Sequence, residues 1–275
     1  MMGLSRERLT HNRRADMPLE DHSPLISVIM PLFNSESYIS ETLASVKSQT
    51  YPNWELIVID DGSTDASYSI VSKASESDAR IRPFRNSSNI GVAKTRNRGV
   101  IEAKGCFLAF LDADDVWMPE KLERQIDYMV AERCAMCFTS YETIESDGSH
   151  RNYVHVPEKI DYRGFLKNTI TCSHTIMFDL SLIRKNDLLC PDYDGGFDYP
   201  EDMVVWLRVL KTGIVAHGLD IVLAKNRKHG KSRSADKRRA VARTWNAYRR
   251  IEHLSVPYAL YCHFWQLFHA VLKRI

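Results

Sequence analysis

The chain has 275 residues, 44% of them hydrophobic and 10% aromatic, enough to bury one large core with trimmings. With 26% charged residues and a mean hydropathy of −0.32, it is neither a disordered polymer nor an integral membrane bundle. The net charge of +2 hides an asymmetry: Lys225–Arg250 holds eleven Lys or Arg against the single acid Asp236, about +10, which leaves about −8 for the remainder. That lopsidedness asks for an anionic partner near the C-terminal end.

Residues 1–23 mix Arg6, Arg8, Arg13 and Arg14 with Glu7, Asp16, Glu20 and Asp21, without the apolar stretch of a secretory signal, and read as a disordered cytoplasmic lead-in. Leu25–Phe33 (LISVIMPLF) is a β-branched run suited to a buried parallel strand. Ser35 or Ser37 is expected to cap a helix whose inward face is Ile39, Leu43 and Val46. Trp54–Asp60 is a second strand, and Asp65 caps a helix carrying Ile70, Val71 and Ala74. A strand at Ile81–Arg85, a helix over 91–103 and an apolar strand at Cys106–Leu111 complete a β-α-β-α-β-α-β order. Such alternation implies a mostly parallel α/β sheet with helices on both faces.

The second half is less regular. Pro119 opens a helix reaching about residue 131, Ala135–Ile144 is a strand leading into an Asp147-Gly148 turn, and Thr175–Phe178 is a strand. Glu201–Leu210 is an amphipathic helix closed by Gly213. Residues 235–254 and 257–273 read as helices parted by Pro257. Six cysteines are too few for a disulfide scaffold, and Cys106, Cys134, Cys137 and Cys172 sit among apolar residues as reduced, buried thiols. Cys134 and Cys137 lack a second pair at zinc spacing.

In an open parallel sheet, ligands bind at the carboxyl ends of the strands. Here the first strand ends in Phe33-Asn34, the second in Asp60-Asp61-Gly62-Ser63-Thr64-Asp65, and the fourth in Asp112-Ala113-Asp114-Asp115. Clustered carboxylates repel unless a cation lies between them, and hard oxygen ligands favour Mg²⁺ or Mn²⁺ completed by water and phosphate oxygens. An aromatic beside a carboxylate able to accept an N–H suits a nucleobase. The rim therefore reads as a metal–nucleotide site.

These residues resemble glycosyltransferase family 2, the inverting nucleotide-sugar enzymes of GT-A fold. The likeness covers about 26–234: SVIMPLFNSESYISETLASVKSQTYPNWELIVIDDGSTD at 27–65, GVAKTRNRGVIEAKGCFLAFLDADD at 91–115, PEDMVVWLRVL at 200–210 and NRKHGKSRS at 226–234. It is nearest to small bacterial enzymes that build surface polysaccharides, such as lipopolysaccharide or capsule. The resemblance implies a donor site in which Phe33 stacks on the base, Asp61 reads the uracil N–H, and Asp112 leans toward ribose and metal. Asp114 would bind the Mn²⁺ or Mg²⁺ bridging the diphosphate, with Asp115 auxiliary or structural. It places Arg96, His229 and Arg233 around the donor, against a competing reading of Arg96 as a surface helix residue. Asp202 matches the base that deprotonates the acceptor hydroxyl, with Glu201 positioning the acceptor or the base, and a helix N-terminus by itself would favour the ionised carboxylate.

The implied division is a lead at 1–23, a GT-A domain at 24–234 and a basic, amphipathic helical segment at 235–275. The implied partners are a nucleotide-sugar, most simply a UDP-sugar, and a saccharide or lipid-linked saccharide. Cations followed by aromatic Pro257–Val271 favour an anionic inner-leaflet surface, the competing account being a helix that packs on the catalytic domain or a second subunit. Three rivals stand beside this reading. A polyprenyl-phosphate glycosyltransferase usually carries further membrane helices, and a sugar nucleotidyltransferase would open with a Gly-rich loop where Leu32-Phe33-Asn34-Ser35 has none. A nucleic-acid-binding module could use the basic 225–250 stretch, but the acidic strand ends would repel a phosphate backbone, so no nucleic acid is expected as a partner.

Overall fold

The structure, a computed structural model, describes residues 23–168, 172–192, 197–230 and 236–272. The expected lead at 1–23 therefore lies outside the described residues except for Ser23, as does Arg233.

Four strands form the parallel half of the sheet: β1 (Ile26–Leu32), β2 (Trp54–Asp60), β3 (Ile81–Arg85) and β4 (Phe107–Phe110). All seven residues of β2 and all four of β4 are buried, which is why they read as unbroken apolar runs rather than alternating ones. Helices α1 (Ile39–Lys47), α2 (Ser67–Ser77) and α3 (Val92–Glu102) connect them. The spatial order β3-β2-β1-β4 reverses direction between β1 and β4, a topological switch point.

Beyond β4 the order runs β9 (Met177–Asp179), β6 (Met136–Ile144), β10 (Ala216–Arg227) and β5 (Val116–Trp117). Because β9 is antiparallel to both β4 and β6, and β10 is parallel to β6, the C-terminal end of β10 returns to the acidic rim. β7 (His150–Val154) and β8 (Lys159–Ile160) pair at the side. Helices α4 (Lys121–Glu132), α5 (Tyr162–Lys167) and α6 (Glu201–Lys211) cover this half. The mixed α/β architecture with its parallel core is the expected one.

Two local expectations need correction, and a third gains a partner. Neither Ser35 nor Ser37 caps α1: the Ser35 carbonyl accepts from Tyr38 and Ile39, while its Oγ turns back to the Phe33 carbonyl. Asp65 does take the Ser67 N–H at 3.0 Å, and it also takes the Glu36 N–H at 3.1 Å while Glu36 takes that of Ala66 at 2.9 Å, so the starts of α1 and α2 clasp each other. Of the cysteines, all free, Cys134 and Cys137 are buried as expected, whereas Cys106 and Cys172 are partly exposed.

The C-terminal segment packs on the rest. Helix α7 (Lys237–Asn246) widens into a π turn at Ala247–Ile251, and α8 (Val256–Leu272) follows a break at which His253 takes φ +52°. Tyr248, Ala259 and Cys262 are wholly buried, and the Glu252 carboxylate receives Tyr162 Oη at 2.6 Å and Lys211 Nζ at 2.9 Å. Among the described residues, no helix is long and apolar enough to cross a membrane.

Candidate active site

The site begins where β1 and β2 end. Phe33 leaves β1 with its ring 47% exposed, free to receive a flat ligand. Asn34 turns the chain with φ +46°, its N–H on Ser63 Oγ and its Oδ1 on the Thr64 N–H. Asp60 is buried, ion-paired with Arg85 at 3.0 Å. Asp61 is buried too. Its Oδ1 accepts from Asn86 Nδ2 and the Ile90 N–H, and its Oδ2 from the Gly91 N–H, each at 2.9 Å. It thus holds the 86–91 loop shut, and a base N–H would share the oxygen that Gly91 already uses.

At the end of β4 three carboxylates crowd one turn. Asp115 is buried: desolvation opposes its charge, but His174 Nδ1 at 2.7 Å and the Arg227 N–H at 2.8 Å outweigh it and hold its pKa below the usual carboxylate range. It anchors the end of β10. Asp114 meets His229 Nε2 at 2.7 Å; burial, with Asp115 and Asp112 beside it, pushes its carboxyl up to about 6. Arg227 lies underneath, with Nε on the Asp114 carbonyl at 3.0 Å and Nη2 on Glu41 at 2.5 Å. Tyr38 stacks on His229 with ring centroids 5.3 Å apart, so residues 227–229 fold down over the start of α1 onto Asp114.

Arg96 is no surface residue. It is 8% exposed on the inner face of α3, with Nη2 on Asp112 at 2.6 Å and Nη1 on Glu201 at 3.3 Å. Burial works against its charge, yet Asp112, Glu201 and Asp202 prevail and raise its pKa above the ordinary arginine value. Arg243 of α7 reaches the other oxygen of Glu201 at 2.8 Å, and also binds the Tyr199 carbonyl and Asp198. Asp202 opens α6, its Oδ1 on the Met203 N–H at 2.7 Å and its Oδ2 taking Ser173 Oγ at 3.2 Å. The helix terminus does not win here: burial, Glu201 and Asp112 raise the Asp202 pKa above the usual carboxylate value.

The structure thus brings Asp112, Arg96 and Glu201 together directly, with Asp202 next to Glu201 and the Asp114–His229 pair next to Asp112. Phe33 and Asp61 form the neighbouring wall. A cavity of about 420 Å³ lies on the outer face of α3, lined by Lys94, Asn97, Cys190, Tyr199 and others. Sequence reasoning missed Arg243, Ser173 and the deep seat of Arg227. Arg227 stands in the NRKHGKSRS segment and could have been marked by it; nothing separates Arg243 from the charges around it.

The donors on this rim, carboxylate oxygens beside an imidazole, are of the kind a hard divalent ion takes. Asp114 and the His229 imidazole meet here, and burial, ahead of the charges of Asp115 and Asp112, raises the Asp114 pKa. Among the described residues no group of three or more His, Cys, Asp or Glu side chains is placed to hold a metal ion by itself. A Mg²⁺-like ion held by one or two carboxylates and completed by phosphate oxygens needs no such group.

A family model described as Glycosyl transferase family 2 matches residues 27–187. The chain belongs to that family. It is a glycosyltransferase. TuaG of Bacillus subtilis, a glycosyltransferase named for teichuronic acid biosynthesis, is 37% identical over 92% of this chain and 98% of its own length. WfgD of Escherichia coli, named as a UDP-Glc:alpha-D-GlcNAc-diphosphoundecaprenol beta-1,3-glucosyltransferase, is 36% identical over 81% of this chain and 84% of its own. Among solved structures, S. aureus TarS with UDP-GlcNAc superposes with a TM-score of 0.64 at 23% identity, over 77% of this chain and 60% of that one. The mannosyltransferase PcManGT from Pyrobaculum calidifontis, with GDP-Man and Mn²⁺, gives 0.60 at 19% identity, over 88% and 69%. The fold of this glycosyltransferase is GT-A.

Proposed function

We propose that this glycosyltransferase moves a sugar from a UDP-sugar to a hydroxyl of a lipid-linked saccharide, with inversion, in the synthesis of a bacterial surface polysaccharide. One observation carries the reading: a single buried guanidinium, Arg96, binds Asp112 on the donor side and Glu201 on the acceptor side. The two carboxylate groups are thereby held as one constellation. The names of the relatives support the substrates, since WfgD and WfaP are both named as UDP-Glc transferases acting on GlcNAc-diphosphoundecaprenol. Those acceptors are lipid-bound, which supports a cytoplasmic enzyme peripheral to the inner face of the cytoplasmic membrane.

In this reading Phe33 stacks on the base and Asp61 orders the loop beside it, with Oδ2 turned to the uracil N–H. Asp114, Asp112 and His229 would hold Mn²⁺ or Mg²⁺, which when bound offsets the charge of the diphosphate leaving group. Arg233, outside the described residues, follows His229 in sequence, and its positive charge would suit the diphosphate leaving group. Asp202 takes the proton of the acceptor hydroxyl as its oxygen attacks the anomeric carbon and the bond to the diphosphate breaks on the opposite face. An α-linked donor then gives a β-linked product, as in the names of those two relatives. The test is a thermal-shift panel of UDP- and GDP-sugars with Mn²⁺, followed by NMR of the product made from the best donor and a GlcNAc-diphosphate lipid. A β-linked disaccharide is expected; an α-linked product, or indifference to every activated sugar, would overturn the proposal.

A further inference from the structure

Helix α8 contains no Asp, Glu, Lys or Arg over its 17 residues, yet lies on the surface. Its inner face is wholly buried at Ala259 and Cys262. Its outer face carries Leu260 (56% exposed), Tyr261 (48%), Phe264 (63%), Leu267 (46%), Phe268 (45%) and Val271 (57%). Positions 260, 264, 267 and 271 keep helical spacing, so the side chains make one continuous apolar stripe along about 17 Å of helix. Scattered exposed apolar residues need no explanation; a stripe of this length does.

We propose that this stripe lies in the plane of an anionic lipid surface and sets the first turn of α6, with Glu201 and Asp202, at that surface. The proposal rests on the reading of the site as a transferase for lipid-linked acceptors. Charge selects the occupant. Arg249 and Arg250 precede the stripe and Lys273 and Arg274 follow it in sequence. The single acid after Asp236 is Glu252, which is turned inward onto Tyr162 and Lys211. In sequence, cations stand on either side of the apolar stripe with no acid left facing outward beside it, a charge pattern that suits anionic headgroups. The stripe also has an address: Gln266 Nε2 on the flank of α8 is 4.0 Å from Met203 Sδ, the residue after Asp202. The lipid plane and the acidic pair are then about one helix diameter apart.

The test is flotation of the full chain with phosphatidylglycerol-containing and with purely phosphatidylcholine vesicles, at low and high salt. Two variants accompany it, Leu260→Ser/Phe264→Ser/Leu267→Ser and Arg249→Gln/Arg250→Gln. The expected result is salt-sensitive binding to the anionic vesicles that falls about tenfold in the stripe variant. Turnover of a UDP-sugar onto a short-chain soluble acceptor should stay within about twofold, since exposed positions are substituted. The arginine variant should bind more weakly but keep a residual, salt-insensitive attachment. Equal binding by the stripe variant, no vesicle binding by the wild type, or a concentration-dependent dimer abolished by the stripe substitutions without vesicle binding would overturn the proposal. Vesicle binding by a chain that turns over no UDP-sugar would instead sink the transferase reading and leave the lipid contact standing.

Discussion

Arg243 Nη2 donates to Glu201 Oε2 at 2.8 Å across 42 residues of sequence, while Arg96 Nη1 approaches the other oxygen at 3.3 Å. Glu201, 6% exposed, is gripped between two guanidinium groups from opposite ends of the chain. Removing one partner of a buried charge cluster leaves the others uncompensated. Arg243→Ala is therefore expected to lower kcat about 10- to 100-fold with little change in donor KM, because it acts through Glu201 rather than on the nucleotide. Steady-state kinetics against Arg243→Lys, which should recover part of the loss, checks the assignment.

Asp202→Asn should keep UDP-sugar affinity and lose transfer by about two to four orders of magnitude, the span of a lost general base. Near-normal turnover would remove Asp202 from the role. The pH profile adds a second reading. Proton acceptance needs the carboxylate, and burial beside Glu201 raises the Asp202 pKa. Activity should thus fall, as pH decreases, at a value above that of an ordinary aspartate; a limb at or below the ordinary range would contradict the geometry.

Asp114→Ala should weaken UDP binding measured by calorimetry with Mn²⁺ and leave the weak metal-free binding unchanged. Stability should move the other way. The Asp114 carboxyl stands at about 6 in the folded chain against 3.8 ordinarily, so above pH 6 its charge costs the fold something the unfolded chain does not feel. Asp114→Asn is expected to stabilise the metal-free protein by about 1–2 kcal/mol at pH 8 and by less as pH falls below 6. Denaturant melts at pH 8 and pH 5 read the difference.

Lys121 is a buried cation outside the site, its Nζ 3.8 Å from the Trp117 ring centroid and without a hydrogen-bond acceptor. Burial pushes its pKa down to about 7 from 10.5. Between those values the unfolded chain holds a proton there that the folded chain lacks, so stability from this group rises with pH and is lowest below 7. Lys121→Met should raise stability by about 1–3 kcal/mol at pH 7 and by little at pH 10. Urea melts that show the same gain at both pH values would refute the account.

Much of this was readable from residues alone. β2 and β4 declared themselves because both faces are buried, and the aromatic end of β1 fell together with the acidic ends of β2 and β4 because parallel strands share an edge. β10 did not declare itself. Gly218 and Asp220 interrupt its pattern, and its register against β6 shifts between Leu219, Val222 and Ala224, so no alternation survives to be seen. The turn chemistry of Ser35 misled for a related reason: its N–H, carbonyl and hydroxyl are all spent on joining loops. Asp61 follows an apolar strand and so stands out as a strand-end carboxylate, but its grip on Asn86, Ile90 and Gly91 depends on a loop whose path no local rule supplies. Arg243 hid within a run of charges, most of which face water.

The bridge made by Arg96 restricts how such a transferase can diversify. A substitution at Glu201 that suits a new acceptor also frees one hand of Arg96, whose other hand holds Asp112, and so disturbs the nucleotide end in the same step. Descendants with altered tastes in acceptor would then keep this bridge fixed and draw their novelty from walls it does not touch.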